Sequence, residues 1–261
     1  MLGAIIGDIV GSRFEFFNNK SKSFKFFENC YFTDDTVMTV AVAEALLSCQ
    51  GDYTSLSAEA VRSMQKYGRL YPDVGYGSSF LSWLQSPNPG PYRSCGNGAA
   101  MRVSPCAYAA KNLKEAYELS NAVTCVTHNH PEGLKGAMAT TAAIYLARRK
   151  HSISEIGDFI HRHFYKLNFT LDELRPTYDF DATCQGTVPQ AIMAFLESTD
   201  FEDAIRNAVS IGGDSDTVAA ITGSIAEAYY GIPSAIKEEA LRHLDAPLRI
   251  AVAAFYERFE R

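Results

Sequence analysis

Two short clusters in the sequence combine paired carboxylates with a threonine hydroxyl. They consist of Thr33, Asp34 and Asp35 near the start of the chain, and of Asp214, Asp216 and Thr217 near its end. Four carboxylates and two hydroxyls form a set of hard oxygen ligands that suits Mg²⁺, Mn²⁺ or Ca²⁺ and not zinc or copper. If the fold brings the clusters together, they predict a site for two divalent cations.

The simpler interpretation of either cluster is a helix N-cap, because each precedes a segment with helical periodicity. Asp and Thr accept hydrogen bonds from the free N–H groups of a first turn, where negative charge is also favourable. Capping needs only one residue, however, and two adjacent carboxylates repel each other unless a cation or a donor neutralises them. Capping and metal binding both stay open at this point.

Two familiar acidic motifs do not fit the second cluster. An EF-hand loop that starts at Asp214 would need glycine at its sixth position and glutamate where Ile225 stands. The nucleophile motif of haloacid-dehalogenase-like phosphatases ends a buried strand near the start of a domain. Here the cluster follows two glycines and a helical pattern, near the end of the chain.

Helical periodicity dominates the rest of the chain and predicts an all-α fold in a single domain, residues 1–261. Three segments, 35–49, 131–150 and 215–230, are rich in Ala, Gly, Ser and Thr, which indicates buried helices at close approach to their neighbours. Their N-terminal ends offer free N–H groups and are natural places for a site. Further helices are predicted at 2–12, 56–67, 113–125, 153–166, 188–197, 201–209 and 234–259.

Residues 71–104 form the longest irregular stretch and hold several glycines. Around Asn97, the residues 96–98 are able to adopt positive φ and to bring backbone N–H groups to a diphosphate, although taken alone they favour an ordinary turn before a helix. The run with Asp73, Gly75 and Gly77 is a similar candidate. His128 and His130 alone are a weak basis for a zinc site.

The bulk composition is that of an ordinary globular protein, with 47% hydrophobic residues and a net charge of −6. This balance argues against nucleic acid as the main partner. The six cysteines show no paired spacing, which favours free thiols and a cytoplasmic location. Asp8 and Arg13 interrupt the N-terminal apolar run, so we expect neither a signal peptide nor a membrane anchor. A monomer is the default expectation.

Four motifs, in order along the chain, resemble the signature of the ADP-ribosylglycohydrolase family, the enzymes similar to dinitrogenase-reductase-activating glycohydrolase. They read GAIIGDIVGSRFEF, FTDDT, GNGAAMR and GGDSDT. The resemblance implies an all-α fold with two Mg²⁺ ions, or Mn²⁺ as a substitute, at the base of a cleft. It also implies that the metal ligands are Thr33, Asp34, Asp35, Asp214, Asp216 and Thr217.

The resemblance assigns further roles in the same site. Glu15 looks like an acid that approaches the metals or substrate from a mobile loop. Independently of the resemblance, the loops 17–32 and 71–95 are candidates for the cleft rim, and the basic stretch 18–25 is a candidate lid, with a solvated surface loop as the simpler interpretation. By the resemblance, the substrate-binding residues would be Asn97, Gly98, Met101 and His128. The run with Asp73, Gly75 and Gly77 is a weaker candidate, from its residue types alone, for a substrate-binding loop that lines the cleft.

The implied reaction is hydrolysis of the glycosidic bond between ADP-ribose and an acceptor, on a protein side chain or a small conjugate. A water of lowered pKa would attack, and Glu15, Asp35 or Asp216 would move the proton. Two alternatives are a catalytically silent ADP-ribose-binding protein and a two-metal phosphohydrolase of a nucleotide diphosphate. The acceptor linkage and the identity of the base stay open.

Overall fold

The computed structural model describes residues 1–259, and almost all of its regular structure is α-helical. Those residues contain no β-strand, only an isolated antiparallel bridge between Gly96 and Thr183. The predicted all-α class is confirmed, and the predicted domain 1–261 ends two residues beyond the described part. The helices are α1 (Leu2–Gly11), α2 (Asp34–Ser48), α3 (Leu56–Leu70), α4 (Ser78–Gln85), α5 (Gly98–Met101), α6 (Ser104–Ala109), α7 (Leu113–Thr124), α8 (Pro131–Arg148), α9 (Ile153–His163), α10 (Leu171–Leu174), α11 (Cys184–Leu196), α12 (Phe201–Ile211), α13 (Ser215–Tyr230), α14 (Ser234–His243) and α15 (Ala246–Phe259).

Helix α13 lies at the centre and packs against α1, α8, α11 and α12. It is buried from Ser215 to Ala226. Its closest partner is α1, where glycines recur every four residues on the facing side. A Cβ on Gly7 would lie 1.9 Å from the carbonyl oxygen of Ala219, so the two backbones touch directly. Because glycine has no side chain to keep the helices apart, the small residues allow this close approach, as the sequence predicts.

The other two small-residue helices are buried as well. Helix α2 is buried from Asp35 to Ala43 and packs on α3 and α15, while α8 packs on α7, α11 and α13. Helix α1 contacts both α2 and α13, and it therefore brings the start of α2 beside the start of α13. This arrangement decides where the two acidic clusters lie.

Some helix boundaries differ from the prediction. The predicted helix over 234–259 is divided between α14 and α15, because the Asp245 side chain accepts from Leu248 N and Pro247 stands in the first turn of α15, which together start a new helix. The stretch 71–104, predicted to be irregular, contains α4 and α5. Among the described residues, no helix combines the length with the hydropathy that a membrane span requires.

Candidate active site at the N-terminal ends of α2 and α13

The two acidic clusters meet where α2 and α13 begin. Thr217 Oγ1 donates to Asp35 Oδ2 at 3.1 Å, and Thr33 Oγ1 lies 3.3 Å from Asp216 Oδ2. Each cluster thus contacts a carboxylate of the other through its own threonine. These crossed contacts join residues from opposite ends of the chain into one buried group.

Helix capping does not account for the carboxylates. At α2 the cap is Thr33, whose side chain accepts from Asp35 N. At α13, Asp214 occupies the N-cap position but makes no side-chain cap hydrogen bond. The Oδ1 atom of Asp35 is buried without any hydrogen-bond partner within the described residues. A buried polar atom without a partner is rare, and here it leaves acceptor capacity for a cation.

Asp8, on α1, is a further carboxylate of the site that the sequence analysis did not assign. Its Oδ2 accepts from the backbone N–H groups of Thr33 at 2.9 Å and Thr36 at 3.0 Å, and its Oδ1 accepts from Thr33 Oγ1 at 2.7 Å. Asp8 therefore fastens the start of α2 to α1. The sequence did contain a signal for this role, since Asp8 stands inside an apolar helix and a buried charge needs a partner.

Burial raises the pKa of every acid in the cluster, and repulsion between carboxylates adds to this effect for the acids other than Asp8. Burial raises the pKa of Asp8 to about 6 and that of Asp214 to about 6. Burial, with repulsion from Asp216 and Asp8, raises the pKa of Glu15 to about 8. For the remaining three acids, burial first and neighbouring carboxylates second raise the pKa well above the usual range, namely for Asp34, Asp35 and Asp216. Ionisation of this group at neutral pH therefore calls for positive charge.

Glu15 joins the second cluster in a group of metal-binding size. One carboxylate oxygen from each of Glu15, Asp214 and Asp216 lies within 4.8 Å of the others. Oxygen ligands at this spacing, together with the unpartnered oxygen of Asp35, have the chemistry that Mg²⁺ prefers. The residues present therefore fit the predicted divalent cation.

Hydrogen bonds join the chain that follows Glu15 to the residues just before the second cluster. Asn18 Oδ1 accepts from Gly213 N at 2.6 Å. Lys20 Nζ donates at 2.6 Å to the backbone carbonyls of Tyr178 and Ile211. Because Ile211 is the last residue of α12, the ammonium lies at the negative end of that helix, where a cation is favourable. These contacts hold the candidate lid segment beside the acids.

Gly212 and Gly213 form the tight turn that the sequence predicts before Asp214. Both have φ +75°, in the left-handed region that favours glycine. A Cβ on Gly213 would also lie 2.3 Å from the ring of Tyr178. Glycine is thus needed here for conformation and for space.

A cavity of about 330 Å³ opens over the acidic cluster. The acids that line it are Glu15, Asp34, Asp35, Asp214 and Asp216, with the hydroxyl residue Thr217 beside them. The predicted substrate residues that line it are Gly75, Gly77, Asn97, Gly98, Met101 and His128. Asp73 is exposed and does not line the cavity, and Thr33 lies beneath it against Asp8 and Asp216.

The glycine-rich run is an ordinary turn before a helix, the interpretation that the sequence favours. Residues 96–98 do not use the positive φ that is open to them, since Asn97 has φ −66° and neither flanking glycine has a positive φ. Helix α5 starts directly after Asn97, so the backbone already takes helical angles there. Gly98 provides space instead, because a Cβ on it would lie 3.3 Å from His128 Nε2.

The side-chain amide of Asn97 donates hydrogen bonds to two side chains of the protein. Its Nδ2 donates to Asp214 Oδ2 at 2.7 Å and to Thr187 Oγ1 at 3.0 Å. It therefore orients a carboxylate of the second cluster from the side of the cavity. The sequence shows no spacing that relates Asn97 to Asp214.

The lining also contains three aromatic residues and one cationic residue that the sequence did not point to, namely Phe80, Tyr92, Phe180 and Arg102. The ring of Tyr92 lies 5.7 Å from that of His128, and the Arg102 guanidinium lies 5.5 Å from the centre of the Phe80 ring. The lining thus combines an acidic group with aromatic rings and a cation, which suits a ligand with both sugar and charged groups.

Comparisons with known proteins point to one family. The family model described as ADP-ribosylglycohydrolase matches residues 1–261. The chain is 26% identical to the ADP-ribosylhydrolase ARH3 of Homo sapiens, over 89% of this chain and 84% of the relative. It is 28% identical to the ADP-ribosylarginine hydrolase Tri1 of Pseudomonas putida (strain GB-1), over 89% of this chain and 70% of the relative. A solved structure of an ADP-ribosylglycohydrolase-related protein complex has the same fold, with a TM-score of 0.69 at 24% identity over 98% of this chain and 95% of that one.

Proposed function

Because the chain belongs to the ADP-ribosylglycohydrolase family, it is a hydrolase that removes ADP-ribose, and we propose that it does so in a Mg²⁺-dependent reaction. The proposed substrate is a protein side chain or small molecule that carries ADP-ribose through a glycosidic bond. The observation that carries this proposal is the crossed pair of contacts, Thr217 with Asp35 and Thr33 with Asp216, directly under the cavity.

The proposed ligands of two Mg²⁺ ions, with Mn²⁺ as a substitute, are Thr33, Asp34, Asp35, Asp214, Asp216 and Thr217. The partnerless oxygen of Asp35 and the raised pKa of the buried acids support this assignment, because both call for a cation. When bound, Mg²⁺ orients sugar hydroxyls and lowers the pKa of water. The cytoplasm is the proposed location, supported by six cysteines that are all free thiols.

The side chains of this protein have distinct proposed roles in the reaction. Glu15 lines the cavity and is only partly buried, so it can take the proton of the attacking water. Asp35 and Asp216 are buried beneath the sugar position. Their negative charge favours the oxocarbenium-like transition state that forms as the glycosidic bond breaks. Asn97 keeps the Asp214 carboxylate in place during this step.

The test compares Asp35→Asn and Asp216→Asn with Asp158→Asn, an exposed residue of α9 whose ion pair with Arg162 is at the surface. Release of ADP-ribose is measured on arginine-, serine- and acetyl-linked conjugates, with Mg²⁺ and with EDTA. We expect both site variants to lose about 10²-fold or more in kcat, and the control to match the wild type.

Full turnover in either site variant, or in EDTA, would refute the two-metal assignment. The same assay identifies the product. Free ADP-ribose is expected, whereas AMP and ribose 5-phosphate from ADP-ribose would indicate cleavage of the diphosphate instead. The conjugate with the highest kcat/KM identifies the acceptor linkage.

A further inference from the structure

Arg102 is a buried cation without an acidic partner. Its side chain is among the largest fully buried ones, at 1% exposure, and no ion pair joins it to a carboxylate within residues 1–259. Its Nε atom is buried without a hydrogen-bond partner. Burying an unpaired charge is costly, so its position against the substrate cavity calls for a functional reason.

The guanidinium contacts two neighbouring residues of the cavity wall. Arg102 Nη2 donates to Thr127 Oγ1 at 2.5 Å and lies 3.3 Å from His128 Nδ1. Thr127 Oγ1 lies 2.7 Å from the same nitrogen. A guanidinium has only donors and does not lose its proton in proteins. Because the guanidinium can only donate, its contact with His128 Nδ1 is a hydrogen bond only when that nitrogen carries no proton. The Thr127 hydroxyl can donate to Nδ1 or to the backbone carbonyl of Thr124.

The guanidinium at Nδ1 thus favours the neutral ring with its proton on Nε2. That nitrogen faces the glycine-rich turn, 3.3 Å from the place of a Cβ on Gly98 and 3.5 Å from the place of a Cβ on Gly96. Both glycines line the cavity, and no protein acceptor within residues 1–259 takes a hydrogen bond from Nε2. Burial and the nearby Arg102 also hold the pKa of His128 well below its usual range, which keeps the ring neutral.

We infer that Arg102 is a positioning residue that fixes His128 as the neutral Nε2–H tautomer, so that the ring donates a hydrogen bond to an oxygen of the bound ADP-ribose. This inference rests on the proposed function for the identity of the ligand. Lysine would not do the same, because its ammonium can lose a proton when buried and lacks the planar set of donors. His128 contacts the ligand, and Arg102 acts through it.

The tautomer is tested without any activity measurement. In ¹⁵N-labelled protein at pH 7, we expect the Nε2 signal of His128 in the range of a protonated ring nitrogen and the Nδ1 signal in the range of an unprotonated one. The signals are assigned by their loss in His128→Gln. The opposite pattern, or a doubly protonated ring, would overturn the inference.

Two variants separate the contribution of Arg102 from that of Thr127. Thr127→Val keeps the guanidinium and should keep the tautomer, whereas a change of tautomer in this variant would show that Arg102 is not the residue that fixes it. Arg102→Met keeps the length of the side chain without its donors, and it should release the ring to a mixture of both tautomers. Wild-type signals in a folded Arg102→Met protein would also contradict the proposed role.

The hydrogen bond to the ligand is tested with two amides. In His128→Gln the amide nitrogen takes the place of Nε2, and in His128→Asn it takes the place of Nδ1. ADP-ribose should bind the Asn variant about tenfold more weakly than the Gln variant by calorimetry, as expected for loss of one neutral hydrogen bond. Equal affinities would overturn the inference. If ADP-ribose does not bind the wild type, the proposed function fails, while the NMR result still decides the tautomer.

Discussion

Replacing Gly7 by alanine tests the direct contact between α1 and α13 on which the site depends. The added Cβ would lie 1.9 Å from the carbonyl oxygen of Ala219, which is 1.5 Å less than the 3.4 Å at which ordinary contact begins. The neighbouring atom belongs to the backbone and cannot rotate away. The helices must therefore separate, and the close contacts at Gly3 and Gly11, where an added Cβ would lie 2.1 and 2.5 Å from the nearest atom, must open with them.

The expected cost is about 3 kcal/mol of unfolding free energy, the upper end of the usual range for overpacking, because both helices are buried and rigid. Such a loss is a large part of the roughly 5–15 kcal/mol that stabilises a typical domain. Activity should fall further, by about 10²-fold, since α1 carries Asp8 and α13 carries Asp216, and a shift of about 1 Å disturbs catalytic geometry.

The measurement is urea unfolding followed by the fluorescence of the single, buried Trp83, beside steady-state release of ADP-ribose. The matched control is Gly90→Ala, because a Cβ on Gly90 meets nothing within 4 Å. It should change the unfolding free energy by less than about 0.5 kcal/mol. If Gly7→Ala unfolds like this control and keeps the wild-type kcat, the reasoning from direct helix contact is wrong.

Three further outcomes are expected. Lys20→Met removes the ammonium that holds the chain after Glu15 in place, so kcat should fall about tenfold. The control Lys22→Met, at an exposed ion pair with Asp203, should leave kcat unchanged. If both variants have the same kcat, the Lys20 contacts do not position Glu15. Asn97→Ala withdraws a donor from Asp214, and calorimetry should show Mg²⁺ binding about tenfold more weakly; wild-type affinity would show that this contact does not orient the ligand. In EDTA, burial raises the pKa of folded Asp214 from 3.8 to about 6. The folded protein therefore binds the Asp214 proton more tightly than the unfolded chain does. Relative to Asp214→Asn, the wild type should lose up to about 3 kcal/mol of unfolding free energy as pH rises from about 4 to about 6. Urea unfolding of both proteins at pH 4 to 7 measures this loss, and a difference in unfolding free energy that does not change with pH would refute the prediction. Saturating Mg²⁺ should abolish the pH dependence.

Residue periodicity and composition, which are local properties, predicted the buried helices correctly. The small-residue periodicity of 35–49 and 215–230 predicted buried helices, and both are buried. Periodicity also produced an error at 234–259, where the local start signal of Asp245 and Pro247 outweighs it. At residues 96–98 the ordinary turn before a helix is found and the positive φ that was considered is not, because glycine permits positive φ without requiring it. Composition predicts what a backbone is able to do, and packing selects among those conformations.

The sequence by itself determined that two acid-and-threonine clusters stand at the starts of two apolar helices, because residue type and periodicity are local properties. Only the tertiary structure decided that the clusters meet, since the contact of Thr217 with Asp35 depends on the packing of α1 against both α2 and α13. The same holds for Asp8 and Arg102, whose roles depend on burial and on partners distant in sequence. Electrostatic energy depends on distance in space, and the order of residues along the chain does not specify that distance.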